Sequence, residues 1–205
     1  MLTKKVFNFN ENETGNDFDL SEYTHIRAYH GCCPISLNDY YQKGIMPINK
    51  KFALEQAIKL LSSNRISVDK VKKVFDSSWN NLRNNHRYVW MILSREELLY
   101  ECGHYLIYGS EFICGMAAEL FCQNSLKGKG KPTIFHCDIP IDTIAREYIY
   151  DINEQIRNGN DNNCGFKLRG SLLPQNIIKC EHPKKILDPL NAYEEYFPNY
   201  NRSVL

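Results

Sequence analysis

The chain has 205 residues, 43% of them hydrophobic and 24% charged, which suits a single globular domain spanning 1–205. Its 25 Lys and Arg against 24 Asp and Glu leave a net charge of +1, so nothing electrostatic argues for a nucleic-acid or membrane-surface binder. No stretch is apolar for long enough to span a bilayer, and the polar, Asn-rich segment 1–19 does not read as a secretory signal. Several of the eight cysteines, Cys32, Cys33, Cys102, Cys114, Cys122, Cys137, Cys164 and Cys180, sit inside apolar runs, and no Cys-x-x-Cys pair occurs. They read as free, small hydrophobes in a reducing, cytoplasmic compartment, and no metal site is expected.

The first strand is expected over 24–29, where Ile26 and Ala28 alternate with Arg27 and Tyr29, and it runs into His30-Gly31. Ser36 fits an N-cap with Asp39 three residues on, and Gly44 fits the end of a short helix over 37–43. Two amphipathic helices follow, one carrying Phe52, Ile58, Leu60 and Leu61, the other Val68, Val71, Val74 and Phe75. Residues 80–85 are polar and predict a loop or a frayed helix end. A buried strand is predicted over 88–93, a helix capped by Ser94 over 95–102, and a further strand over 104–108.

Ser110 caps the clearest helix, in which Phe112, Ile113, Met116, Ala117, Leu120 and Phe121 recur at helical spacing. After a Lys- and Gly-rich loop at 127–132, a strand is expected over 133–139 and a helix from Asp142 to about Ile156. Residues 158–163 are loop-like, 166–173 and 177–181 predict late strands, and the aromatic tail 189–205 is expected to dock on the domain. The order mixes strands and helices without the regular alternation of a doubly wound sheet, which points to the α+β class.

Two segments carry the candidate chemistry: Tyr29-His30-Gly31-Cys32, and Gly103-His104-Tyr105-Leu106-Ile107-Tyr108-Gly109-Ser110-Glu111. In this order and spacing they resemble the ADP-ribosyltransferase superfamily, in the branch of poly-ADP-ribose polymerases and bacterial toxins. The resemblance implies a split, mixed or antiparallel sheet with flanking helices, and NAD as substrate. It also implies that His30 holds the adenosine-side ribose and the Gly31 backbone pairs with the nicotinamide carboxamide. Tyr105 would stack on the nicotinamide ring with Tyr108 beside the pocket, and Ser110 would lie near the nicotinamide ribose. A third motif would supply a Glu on a late strand. Gly165, Phe166 and Lys167 stand there instead, Gln175 and Glu181 lie further on, and Glu111 is the best substitute.

A fixed carboxylate suits this chemistry. Breaking the bond between nicotinamide and ribose develops oxocarbenium-like charge, which a carboxylate bound to a ribose hydroxyl stabilises. The implied activity is ADP-ribose transfer to a macromolecular acceptor, protein or nucleic acid, or to water, and small relatives of this kind serve as toxins or in antiviral defence. Glu111, His30 and Tyr105 are the catalytic candidates; His30, Gly31, Tyr105, Tyr108 and Ser110 are the NAD-binding ones.

Other readings of the same residues stay open. Tyr105 and Tyr108 would face opposite sides of a strand, leaving one in the core, and Glu111 would gain from a helix dipole in any case. The missing late Glu fits a non-catalytic module that binds NAD or ADP-ribose. Cys32 beside His30 could be a thiol nucleophile, oriented by Asn38 or Asp39. His30 could be purely structural, with the aromatic segment 193–200 as a protein contact.

Overall fold

Strand β2, His25–Cys32, organises the fold because it pairs along its whole length with one neighbour. In the computed structural model, which describes residues 3–12, 14–160 and 164–200, β2 runs antiparallel to β4, Thr133–Pro140, from His25↔Pro140 to Cys32↔Thr133. Its other edge is shared by β1, Val6–Phe7, in parallel, and by β3, Trp90–Ile92, antiparallel through the pair Tyr29↔Ile92. With β5, Gly165–Lys167, outside β3, and β6, Ile177–Glu181, outside β4, the order is β5-β3-β2-β4-β6. A separate hairpin joins β7, Ile186–Asp188, to β8, Glu194–Tyr196.

The period of two along β2 divides the core. Ile26 and Ala28 meet Phe7, Met91, Phe135, Cys137 and Phe166, together with Ile152 and Ile156 of helix α7, Glu147–Arg157. Tyr29 faces the other way, with Ile134 of β4, into a helical layer. That layer holds α2, Lys50–Leu61, α3, Val68–Asn80, and α6, Glu111–Glu119, while α1, Asn38–Lys43, follows β2 in sequence. Asn49, Ser67 and Ser110 cap these three helices, each side-chain oxygen accepting from the backbone N–H three residues on. Ala53, Ala57 and Leu61 make one stripe on α2, and Phe75 on α3 packs edge-on against Phe112 of α6 at 5.4 Å.

The fold is mixed α+β, as the element order predicts, and its sheet is mainly antiparallel with flanking helices. Among the described residues no helix is long and apolar enough to cross a membrane. Several predicted bounds shift. The helix expected from Asp142 begins at Glu147, and the late strand over 166–173 shortens to β5 followed by isolated bridges at Leu168 and Leu172. Residues 161–163 of the predicted loop lie outside the described residues, as does 201–205 of the tail.

The strand expected over 104–108 is instead a one-turn helix, α5, His104–Ile107, preceded by α4, Arg95–Tyr100. A four-residue apolar run has no length over which period two and period 3.6 can be told apart. Packing decides it: α5 is wedged between β2 and β7, and its Leu106 and Ile107 are buried without any strand to pair. Gly103 allows the wedge, because a Cβ there would lie 2.0 Å from the Leu187 carbonyl oxygen.

The docked tail is pinned by Asp188, 1% exposed, which accepts from the Tyr108 hydroxyl at 2.6 Å and faces Lys127 Nζ at 2.8 Å. Asp188→Ala leaves the buried Tyr108 hydroxyl and the half-buried Lys127 ammonium without their partner, and should destabilise the protein by about 2 kcal/mol in urea denaturation. An unchanged midpoint would show that the tail does not support α5. On the sheet, Asp138 is 3% exposed between Arg27 Nε at 2.5 Å and Lys4 Nζ at 2.8 Å. Burial opposes its ionisation, but Arg27 and Lys4 prevail and hold the carboxyl below its ordinary value. A carboxyl lowered on folding stabilises above its unfolded pKa, so this contribution should disappear as pH falls below about 4. Asp138→Asn should therefore lower stability at pH 7 and flatten its acid dependence, read as melting temperature against pH.

Candidate functional site

Glu111 is the first residue of α6, beyond the Ser110 cap, and the turn that delivers it needs a glycine. Gly109 lies between α5 and α6 with φ +89°, a left-handed conformation costly to residues with a Cβ. Because α5 is a helix, Tyr105 comes back over this turn, and its hydroxyl donates to Glu111 Oε1 at 2.8 Å. The other oxygen, Oε2, lies 2.9 Å from Nδ1 of His86, on the 3-10 turn Asn84–Arg87. Both carboxylate oxygens are thus held, yet the Glu111 side chain is 45% exposed. Burial, then the hydrogen bond to Glu111 and its charge, push the Tyr105 hydroxyl far above its ordinary pKa, so it stays a donor. The ring of His104 lies 4.1 Å from that of Tyr105, covering part of it.

Beside this carboxylate a cleft of ≈ 270 Å³ separates the end of α3 and the following turn from α6. Leu82, Phe112, Gly115 and Met116 form its apolar side, and Ser78, Asn81, Arg83, His86 and Glu111 its polar side. Sequence reasoning missed Arg83, His86 and Gly115. The basic Arg83-x-x-His86-Arg87 spacing was the available signal, but it sits in a polar stretch without hydrophobic period.

The other predicted residues separate. Along β2, His30 alternates with Gly31 and so shares the side of Ile26 and Ala28, away from the face on which Tyr29 meets the helical layer. Its Nδ1 lies 2.9 Å from the Trp90 carbonyl oxygen. Burial lowers its basicity, with the Trp90 contact acting the other way. Among the described residues no hydrogen bond or ring contact joins His30 to Tyr105 or Glu111. Gly31 turns its Cα towards α4 and α5: a Cβ there would lie 2.9 Å from Leu98 Cδ2 and 3.4 Å from Leu106 Cδ2. Tyr108 is 4% exposed and engaged with Asp188, so it offers the cleft no surface. Ser110 uses its hydroxyl as the cap of α6.

The thiol alternative at Cys32 fares poorly. Burial pushes the Cys33 thiol up to about 12 and the Cys32 thiol higher still, the reverse of an activated nucleophile. At the expected third motif, β5 presents Lys167, whose Nζ pairs with Glu147 Oε1 of α7 at 2.8 Å. Glu181, the later candidate, is bound to Arg95 Nε at 2.6 Å and lies 3.2 Å from His136 Nε2. Gln175 sits in the 3-10 turn Pro174–Asn176. Glu111 is therefore the candidate carboxylate that joins exposure, fixed orientation and an adjoining cleft. Comparison with protein-family models, with curated proteins and with solved structures gave no match.

Proposed function

We propose that this protein cleaves the bond between nicotinamide and ribose in NAD, as an ADP-ribosyltransferase or NAD glycohydrolase, and that Glu111 is the carboxylate that stabilises the developing charge. The observation that carries this reading is the double fixation of an exposed carboxylate at the mouth of a cleft. Each Glu111 oxygen has one partner, Tyr105 or His86, and keeps further acceptor capacity for a ribose hydroxyl. Its orientation is set before substrate arrives, so little reorganisation accompanies the reaction. A ribose hydroxyl bound to Glu111 would share its negative field with the anomeric carbon as the nicotinamide leaves.

A second reading, a domain that binds NAD or ADP-ribose without turnover, is favoured by one observation. His30, the residue the resemblance assigns to the adenosine-side ribose, is tied to the Trp90 carbonyl and lies across the sheet from Glu111.

The two readings separate on nicotinamide release from NAD, followed by chromatography. Under the first, Glu111→Gln should reduce release by about 100-fold or more while leaving the melting temperature close to that of the parent. Undiminished release from Glu111→Gln would overturn the catalytic assignment, and loss confined to His30→Ala would move the chemistry to the seam between β2 and β3. No release, with NAD still raising the melting temperature, would establish the binding module.

A further inference from the structure

We infer that the outer face of the α2–α3 pair is a binding surface for the phosphate backbone of a nucleic acid. The inference is independent of the NAD reading, since it uses neither Glu111 nor the cleft beside it.

A net charge of +1 averages over a segregation along the chain. Residues 50–87 run from the start of α2 through α3 to the 3-10 turn Asn84–Arg87, and carry nine Lys and Arg against three Asp and Glu. The rest of the chain carries sixteen against twenty-one. All nine cations are exposed. Ala53, Ala57 and Leu61 on α2 and Val71 and Phe75 on α3 turn to the core, and the lysines take positions between them. That alone would suit any solvated helix pair. What sets this face apart is that its cations lack partners. Among the described residues, Lys51, Lys59, Arg65, Lys70, Lys72 and Lys73 have no side-chain ion pair, hydrogen bond or ring contact, and neither does Arg83. Lys50, 3.8 Å from Asp76, and Arg87, 5.3 Å from the Trp79 ring centre, are the two that are engaged. Outside residues 50–87 the balance is reversed. Nearly every described cation there meets a carboxylate, a carbonyl oxygen or a ring, and Arg146, Lys179 and Lys184 are the exceptions. Like charges kept together without counter-charges give the face a positive potential, which a polyanion neutralises.

The rest of the face selects the kind of polyanion. The bridge Ser63↔Ile66 turns the chain between the helices, and the Lys50–Asp76 pair shows that they run antiparallel. Phe52 and Val68, the exposed large apolar residues of 50–87, each stand at the start of a helix and so lie at opposite ends of the pair. They form no contiguous apolar patch that could enter a lipid surface or pack against a protein. The exposed uncharged residues include Asn64, Ser77, Asn80 and Asn84, types that contact phosphate and sugar beside Lys and Arg. Phe52 is the one well-exposed ring, so there is no row of rings on which successive bases could stack. The contact is therefore with the backbone, and it is insensitive to sequence.

The test is fluorescence anisotropy of the full chain, without NAD, against a short labelled DNA duplex and a short labelled single-stranded RNA over a series of salt concentrations. Binding of either probe should weaken with salt on a log–log slope of about −3 or steeper, as several phosphates are neutralised. Lys59→Gln, Lys70→Gln and Lys73→Gln combined should weaken it by about tenfold or more and flatten the slope by about 2. The melting temperature should stay at that of the parent, because none of the three side chains has a partner to lose. Arg146→Gln, Lys179→Gln and Lys184→Gln combined remove the same charge from exposed, unpaired positions elsewhere, and should weaken binding by less than about threefold. Equal losses in the two triple variants would mean attraction to net charge alone and would overturn the surface. A parent protein that binds neither probe would overturn it too. So would one that binds polyglutamate, or vesicles containing phosphatidylserine, as tightly as nucleic acid.

Discussion

The unbroken register between β2 and β4 is the constraint on which the rest of the molecule depends. Eight consecutive pairs allow no slip, and a slip of one residue would exchange the two faces of the sheet. They send Ile26, Ala28 and His30 to one side, and Tyr29 and Gly31 to the other. The opposite edge of β2 is held far less firmly. Tyr29↔Ile92 is the one pair that registers it with β3, and next to that pair the His30 imidazole contacts the Trp90 carbonyl. The sheet is therefore continuous towards β6 and narrowly joined towards β5.

From this frame a chain of contacts leads to the candidate carboxylate. The β7–β8 hairpin carries Asp188, which binds Tyr108 at the end of α5 and the Lys127 ammonium. Held in this way, α5 fills the space over β2 and positions Tyr105, whose hydroxyl orients Glu111. The β7–β8 hairpin thus bears on the site although, among the described residues, it contributes none to the cleft. A turn from the far end of α3 brings His86 to the other carboxylate oxygen, so Glu111 is fixed from two sides by elements 25 and 6 residues away in sequence.

What was legible in the sequence was local. The strands around Ile26 and Ile134 and the helix after Ser110 announce themselves by alternation, period and cap, and all three exist. Residues 104–108 misled because five residues between a packing glycine and a turn glycine carry no usable period, and the contact with Leu187 that decides their form is distant in sequence. Glu111 and Tyr105 could be named together, since they are neighbours in the chain. Their partner His86 could not, because its position depends on how α3 packs against α6. His30 was visible as a short motif. Which side of the sheet it occupies was not, since that is a property of register with β4 and not of its immediate neighbours.

The chemistry of His30 sets a limit on how the two candidate segments could serve one ligand. A carbonyl oxygen only accepts, so Nδ1 carries the proton it gives to Trp90, and burial disfavours the gain of a second one, with the Trp90 contact acting the other way. Nε2 is then an acceptor, and a ribose hydroxyl would have to donate to it. Glu111 also accepts from hydroxyls. Both sites thus ask the same thing of a sugar, but they lie on opposite sides of a sheet joined there by the Tyr29↔Ile92 pair. A dinucleotide engaged with both would have to pass the narrow seam between β2 and β3. If the seam stays closed, binding is organised around Glu111 alone and His30 serves to hold β3 against β2. On that division the proposed chemistry rests on the carboxylate and not on the imidazole.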